Sequence, residues 1–290
     1  MLGGVADPLL DPARLAALVT GASPPTLLDV RWRLASPAAG AEEYAAGHLP
    51  GAVFLDLDTQ LCGPPGRGGR HPLPDPHRLE AVLRAAGVRD GASVVVYDAG
   101  GDEPGRQSAA RAWWTLRWAG LTEVSVLDGG YAGWVAAGHP TSTGTPVPEV
   151  GDVRVRPGGL PTLDADQAAA LAARGRLLDV RAAARYRGES EPVDPVAGHI
   201  PGAVNLPASP QLLGGASAPA EIRAAVGEVL ADPDPAQPLG VYCGSGVSAA
   251  HTLLALHRAG FSQAALYVGS WSHWITDPDR PVAKGEEAAA

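Results

Sequence analysis

Cysteine is scarce in this chain: Cys62 and Cys243 are the only two in 290 residues. That usage excludes a disulfide framework. Basic charge is scarce as well. Lys and Arg total 22 against 31 Asp and Glu, giving a formal net charge of −9. A sequence-independent grip on nucleic acid or on an anionic membrane needs clustered Lys and Arg, so both partners are excluded. A small anion can still bind, because a local pocket can differ in sign from the whole. No stretch approaches the roughly 18 uninterrupted apolar residues of a membrane span. Met1 to Leu15 has no basic n-region and no long apolar run. A soluble, cytoplasmic protein is expected. The eight His show no Cys/His ligand spacing, so no metal site is expected.

What the chain does have is apolar mass and a copy of itself. Hydrophobic residues make up 46%, enough for a real core, and the length suits one large domain or two ordinary ones. Leu27-Leu-Asp-Val-Arg31 recurs as Leu177-Leu-Asp-Val-Arg181. Gly47-His-Leu-Pro-Gly-Ala-Val53 recurs as Gly198-His-Ile-Pro-Gly-Ala-Val204. Ala119-Gly-Leu, Val126-Leu-Asp-Gly-Gly and Trp134 are echoed by Ala259-Gly-Phe, Tyr267-Val-Gly-Ser and Trp274. The order is kept in both halves, at an offset of about 140–150 residues that far exceeds a solenoid repeat. Each copy should therefore be a whole domain. Residues 1–142 form the first, 143–161 a Pro/Gly/Thr-rich linker, 162–285 the second, and 286–290 a tail.

Within each copy, short apolar runs alternate with helical patterns. Val94-Val-Val-Tyr97 and Leu177-Leu178 read as buried strands. Leu79 to Ala86 and Ala110 to Ala119 read as helices. The alternation implies an α/β fold: a parallel sheet with helices on both faces. Ligands of such sheets sit beyond the carboxyl ends of the strands.

One strand of the second copy ends there in a cysteine. Gly240-Val-Tyr-Cys243 runs into Gly244-Ser-Gly-Val-Ser248 and then into a helical stretch, Ala249 to Ala259. Two glycines let the loop curl and point its N–H groups inward. The helix N-terminus adds partial positive charge. Both favour negative charge on sulfur, and the thiolate is the nucleophile. In the first copy the matching strand ends Val96-Tyr97-Asp98, followed by a loop longer by about five residues. That half has no nucleophile and reads as a wall and partner.

Cys243-Gly-Ser-Gly-Val-Ser248, the duplicated Asp-Val-Arg and Gly-His-x-Pro-Gly-Ala blocks, and Gly269-Ser-Trp-Ser-His-Trp274 resemble the tandem rhodanese superfamily. Within it, the 3-mercaptopyruvate sulfurtransferases are most similar. The resemblance runs from about Leu27 to Pro281. It implies two rhodanese-like domains and a thiolate, Cys243, that takes sulfur from a donor as a persulfide. An acceptor thiol, thioredoxin for instance, or cyanide then removes the outer sulfur. No cofactor is implied.

Thiosulfate-using members carry Arg and Lys in the loop after the cysteine. Here Gly244 and Ser245 stand there, as in the mercaptopyruvate branch. Ala184-Arg185-Tyr186 matches the segment whose arginine grips the donor carboxylate, which makes Arg185 the candidate anchor. The family's second arginine, in Glu-Pro-Arg, is replaced in Glu191-Pro192-Val193. Arg187 or Arg111 are the candidates to compensate. Leu55-Asp-Leu-Asp58 and Arg70-His71-Pro-Leu-Pro match an aspartate and a histidine facing the loop serine. Asp58, His71 and Ser245 thus form a candidate proton relay. The amides of Gly244, Gly246, Val247 and Ser248 are candidates to cradle the transferred sulfur.

Other residues read as structural. His48 and His199 occur in both copies, including the one without a nucleophile. So do the Asp29–Arg31 and Asp179–Arg181 pairs, expected to pin strand ends. Trp271 and Trp274 read as core, and Cys62 as a bystander. Three rivals stand beside this reading. Thiosulfate sulfurtransferase, the same chemistry with another donor, is weakened by the neutral loop and partly restored by the missing Glu-Pro-Arg arginine. A phosphatase of the Cys-x5-Arg kind needs an arginine closing the loop, and is excluded because Ala249 stands at that position. A binding module without activity fits the first half and is disfavoured for the second.

Overall fold

The computed structural model describes residues 7–101, 107–208 and 218–286. Three stretches read from the sequence fall partly outside them: the first six residues, 102–106 in the longer loop after Asp98, and 287–290 of the tail. The chain divides into two compact units. One comprises Met1–Gly63 and Leu73–Gly159, the other Pro64–Pro72 and Leu160–Ala290. The short segment Pro64–Pro72 thus belongs with the second half, although it lies in the sequence of the first.

The first unit holds β1 (Leu9–Leu10), β2 (Thr26–Asp29), β3 (Val53–Phe54), β4 (Val94–Tyr97) and β5 (Val124–Leu127). They lie in the order β1-β5-β4-β2-β3, all parallel. The second unit repeats the plan with β6 (Thr162–Leu163), β7 (Leu177–Asp179), β8 (Val204–Asn205), β9 (Gly240–Tyr242) and β10 (Ala265–Tyr267). Their order is β6-β10-β9-β7-β8, again all parallel.

Side chains alternate across a sheet with period two, and here both sets are buried. In the second unit Leu177, Tyr242 and Tyr267 share a core with Ala165, Ala168, Ala172, Trp271 and Trp274. The two tryptophans are core residues. The adjacent residues on these strands, Leu178, Val241 and Leu266, face the other way and are fully buried too. The helix Val247–Arg258 packs on β9 and β10 and carries the helix Pro219–Val229 against itself. Neither helix contributes to the first core, so the sheet is covered on both faces, as parallel sheets require. The first unit does the same. Leu27, Val95, Tyr97 and Leu127 pack with Leu15 and Trp134, while the helix Ser108–Trp118 covers β4 and β5.

The expected helices form with shifted ends. The first runs Pro76–Ala85 rather than from Leu79, because Asp75 caps it by accepting the Arg78 N–H at 2.9 Å. The helix after the cysteine starts at Val247, directly behind Gly246 in the left-handed region at φ 86°. Residues 141–161 form no helix. They hydrogen-bond back onto the first unit, from Gly151 N–H to Arg84 O, Val153 N–H to Val88 O and Arg156 N–H to Ala119 O. Among the described residues, no helix is long and apolar enough to cross a membrane.

The duplicated motifs occupy equivalent places and make equivalent bonds. Arg31 pairs with Asp29 at 2.6 Å and donates to Gly47 O at 2.7 Å. Arg181 pairs with Asp179 and donates to Gly198 O at the same two distances. Both pairs are buried. His48 Nδ1 lies 2.9 Å from Tyr44 O, and the two rings stack. His199 and Tyr186 repeat the arrangement. These residues fasten strand ends to the following turn in both halves.

Candidate active site

The site grows from the carboxyl end of β9. Cys243 follows the strand directly and is 3% exposed. Its Sγ accepts the Gly246 N–H at 3.1 Å. The helix Val247–Arg258 begins one residue later, so its unpaired N–H groups and dipole point at the same place. Gly244, Ser245, Gly246 and Val247 are buried, and Ser248 is half-buried.

The loop is tied to the turn after β10. Cys243 N–H donates to Ser270 Oγ at 3.2 Å, and Ser270 Oγ donates to Tyr267 O at 2.9 Å. Trp271 N–H and Ser272 N–H donate to the Cys243 and Gly244 carbonyls at 3.0 and 2.9 Å. Ser270 is the one non-glycine residue with positive φ among those described, at 54°. Its counterpart in the first copy is Gly130, at φ 55°. A side chain in a glycine conformation costs about 1–2 kcal/mol, and here the hydroxyl accepts the Cys243 N–H. The sequence reading missed Ser270. The signal was available: serine replaces glycine at an aligned position in the half that keeps the cysteine.

The segment Pro64–Pro72 docks on that same turn. Arg70 N–H donates to Ser272 Oγ at 3.0 Å, and Thr276 Oγ1 to Arg67 O at 3.3 Å. Gly69 and Gly269 let the two backbones meet: a methyl group on Gly69 would stand 2.7 Å from Gly269 O. This contact brings His71 to the loop, with Nδ1 at 2.8 Å from Ser245 Oγ. Both side chains are buried. Asp58 belongs to the first unit, half-buried on the short helix Leu57–Gln60.

Two guanidinium groups stand over Gly244. A methyl group on that glycine would lie 2.9 Å from Arg70 Nη2 and 3.6 and 3.7 Å from Arg185 Nη2 and Nη1. Arg185 is also engaged elsewhere. Its Nε and Nη2 bond Glu191 Oε2 and Oε1 at 3.0 and 2.6 Å, and Nη2 reaches Asp194 Oδ2 at 3.2 Å. Asp194 Oδ1 accepts from Arg70 Nη1. Glu191 further meets Arg181 Nη1 at 3.4 Å. Burial alone would raise the Glu191 carboxyl, but hydrogen bonds from Arg185 and from the Asp194 and Val193 amides hold it below the ordinary carboxylate range. Arg187 and Arg111 are engaged within their own units. Arg187 pairs with Glu189 at 2.7 Å on the surface. Arg111 is buried in the first unit, with Nη2 3.9 Å from Cys62 Sγ. The second guanidinium beside the loop is Arg70, which the sequence reading quoted only as the neighbour of His71.

The first copy shows the loop filled. The Asp98 carboxylate, at the position of Cys243, accepts Gly100 N–H at 3.0 Å and Ala109 N–H at 3.1 Å. A fixed side-chain anion thus occupies the amides that a nucleophile's substrate would need. Cys62 is buried and its thiol is pushed up by that burial, further by Asp58 and Asp56, against the pull of Arg111. It is not a poised thiolate.

Comparison with known proteins gives the family. The model of the rhodanese-like domain matches twice, over residues 11–137 and 164–277. A Pseudomonas aeruginosa protein named "Probable 3-mercaptopyruvate sulfurtransferase" is 47% identical over 269 residues, 90% of this chain and 92% of its own. The thiosulfate sulfurtransferase of Rattus norvegicus is 33% identical, over 91% of this chain and 90% of its own. Among solved structures, the 3-mercaptopyruvate sulfurtransferase SseA of Escherichia coli superposes with a TM-score of 0.78 at 30% identity, over 92% of this chain and all of its own. The chain belongs to the rhodanese family, with two rhodanese-like domains in tandem.

Proposed function

We propose that this protein is a sulfurtransferase that moves sulfur from 3-mercaptopyruvate to a thiol or cyanide through a persulfide on Cys243. The observation that carries the reading is the placement of Cys243 Sγ, which accepts a loop N–H at a helix N-terminus in the copy where Asp98 is absent. The Cys243 thiolate attacks the donor thiol sulfur. The carbon–sulfur bond breaks, and its electron pair leaves as the pyruvate enolate. The new Cys–S–SH group loses its proton and sits as an anion against the amides of Gly244 to Ser248. The enolate takes one proton and becomes pyruvate. Ser245 stands next to the cysteine and is backed by His71 at 2.8 Å, which suits it to deliver that proton. Asp58 is the third member implied by the resemblance. An acceptor thiolate or cyanide then attacks the outer sulfur and restores the Cys243 thiolate. Thioredoxin is an acceptor of the right chemistry.

The neutral pair Gly244 and Ser245 favours a donor with one carboxylate over the thiosulfate dianion, and Arg185 beside Gly244 orients that donor. Thiosulfate is the second reading, favoured by Val193 in place of the family's second arginine and by relatives that carry that name. The test is turnover with each donor, cyanide as acceptor, in wild type and Cys243→Ser. A higher kcat/KM for 3-mercaptopyruvate and no transfer by Cys243→Ser are expected. Transfer by Cys243→Ser would end the persulfide mechanism. A preference for thiosulfate would replace the donor, and no transfer from either would favour a binding module.

A further inference from the structure

We infer that Arg70, standing beside Arg185 over Gly244, presents the bidentate fork that grips the donor carboxylate. The inference rests on the reading of Cys243 as the sulfur carrier and names the missing half of its donor site. A guanidinium presents a carboxylate with a side edge made of Nε–H and one Nη–H, the geometry of a two-bond fork. In Arg185 that edge is occupied: Nε and Nη2 both bond Glu191, at 3.0 and 2.6 Å. Glu191 is 4% exposed and is held by Arg181 as well. A donor can take this edge only by displacing both Arg185 hydrogen bonds from a buried carboxylate.

Arg70 is arranged the other way. Its Nη1 is given to Asp194. Its Nε is buried and has no hydrogen-bond partner, and its Nη2 faces Gly244, next to the nucleophile. Nε and Nη2 together form the side edge, so Arg70 presents an open fork toward the loop. A buried charged donor left without an acceptor is costly, and a donor carboxylate would satisfy it. Asp194 is the positioning residue. It is 2% exposed and bonds both arginines, Arg70 through Oδ1 and Arg185 through Oδ2. It fixes the far edge of Arg70 so that the near edge points at Gly244. Glycine leaves room for that edge, since a methyl group there would come within 2.9 Å of Nη2. The quartet Arg70, Arg185, Glu191 and Asp194 carries no net charge. It therefore offers directed hydrogen bonds to a monoanionic carboxylate rather than the surplus positive charge that a dianion needs.

The test separates carboxylate binding from turnover. Pyruvate, which carries the same α-keto carboxylate, is titrated into wild type, Arg70→Gln and Arg70→Lys and followed by ligand-observed NMR. Kinetics are run with 3-mercaptopyruvate and with mercaptoacetone, which has no carboxylate. Loss of charged hydrogen bonds should weaken pyruvate binding roughly 10- to 100-fold in Arg70→Gln. Arg70→Lys keeps the charge but not the fork, and should lose about 10-fold. The kcat/KM ratio of 3-mercaptopyruvate to mercaptoacetone should fall by the same factors, through KM rather than kcat. Arg70→Lys guards against a folding defect in Arg70→Gln, and melting curves of both report it. Unchanged pyruvate affinity in either folded variant, or no pyruvate binding by wild type, would overturn the assignment. Pyruvate binding that depends on Arg70 in a protein that transfers no sulfur would keep the assignment and sink the proposed function instead.

Discussion

His71 Nδ1 lies 2.8 Å from Ser245 Oγ, although 174 residues separate them in the chain. The contact is made because Pro64–Pro72 folds with the second unit. A serine–histidine pair next to the nucleophile matters for a donor whose leaving group is a carbanion equivalent, which must be protonated. It matters less for thiosulfate, whose leaving sulfite needs no proton. Ser245→Ala and His71→Gln should each lower kcat with 3-mercaptopyruvate by about 100-fold, the lower end for general acid catalysis. With thiosulfate the loss should stay within a few-fold. Equal losses with both donors would remove the proton-delivery role.

Ser270 combines a strained backbone with a hydrogen bond to the Cys243 N–H. Ser270→Gly relieves the φ of 54° and loses the hydroxyl, whereas Ser270→Ala loses the hydroxyl and keeps the strain. Ser270→Ala should therefore be the less stable of the two by about 1 kcal/mol in denaturant titrations. Both should show reduced kcat, since Cys243 N–H loses its acceptor. Full activity in a folded Ser270→Gly protein would confine the serine to a structural role.

The Asp98 carboxylate accepts two backbone N–H groups of its own copy, an arrangement that suits a structural part. Asp98→Ala leaves the buried Gly100 and Ala109 amides without their acceptor. A loss of about 1–3 kcal/mol in unfolding free energy is expected, with kcat/KM nearly unchanged below the melting transition. A collapse of activity in the folded variant would give the first copy a catalytic part.

Glu191 ties the Arg185 side chain to acid stability. Its carboxyl is depressed in the folded protein, because hydrogen bonds from Arg185 and two amides outweigh burial. A depressed carboxylate contributes stability above its unfolded pKa, about 4.3. It loses that contribution as pH falls through the folded value. The stability gap between wild type and Glu191→Gln should be largest at neutral pH and shrink steadily below about pH 4.3. Parallel stability curves down to acid pH would contradict this.

Much of this protein is written locally. The recurrence of Asp-Val-Arg and Gly-His-x-Pro-Gly-Ala is enough to establish a duplication. The runs Val94–Tyr97 and Leu177-Leu178 identify strands buried on both faces. The placement of Cys243 between a strand and a Gly-Ser-Gly turn identifies the reacting end, because a parallel sheet delivers its strand ends to one edge. Each of these rests on residues within a few positions of one another, where periodicity and glycine chemistry suffice. The donor site is different. Arg185 matched the expected anchor in sequence, but its bidentate edge is taken by Glu191. Arg70 carries the open edge because Asp194, 124 residues away, holds its other side. Which hydrogen-bonding edge of a guanidinium is occupied depends on partners that only the folded chain brings together. For that reason the candidate nucleophile is legible in the sequence, whereas the open edge of Arg70 depends on contacts that only the tertiary structure makes.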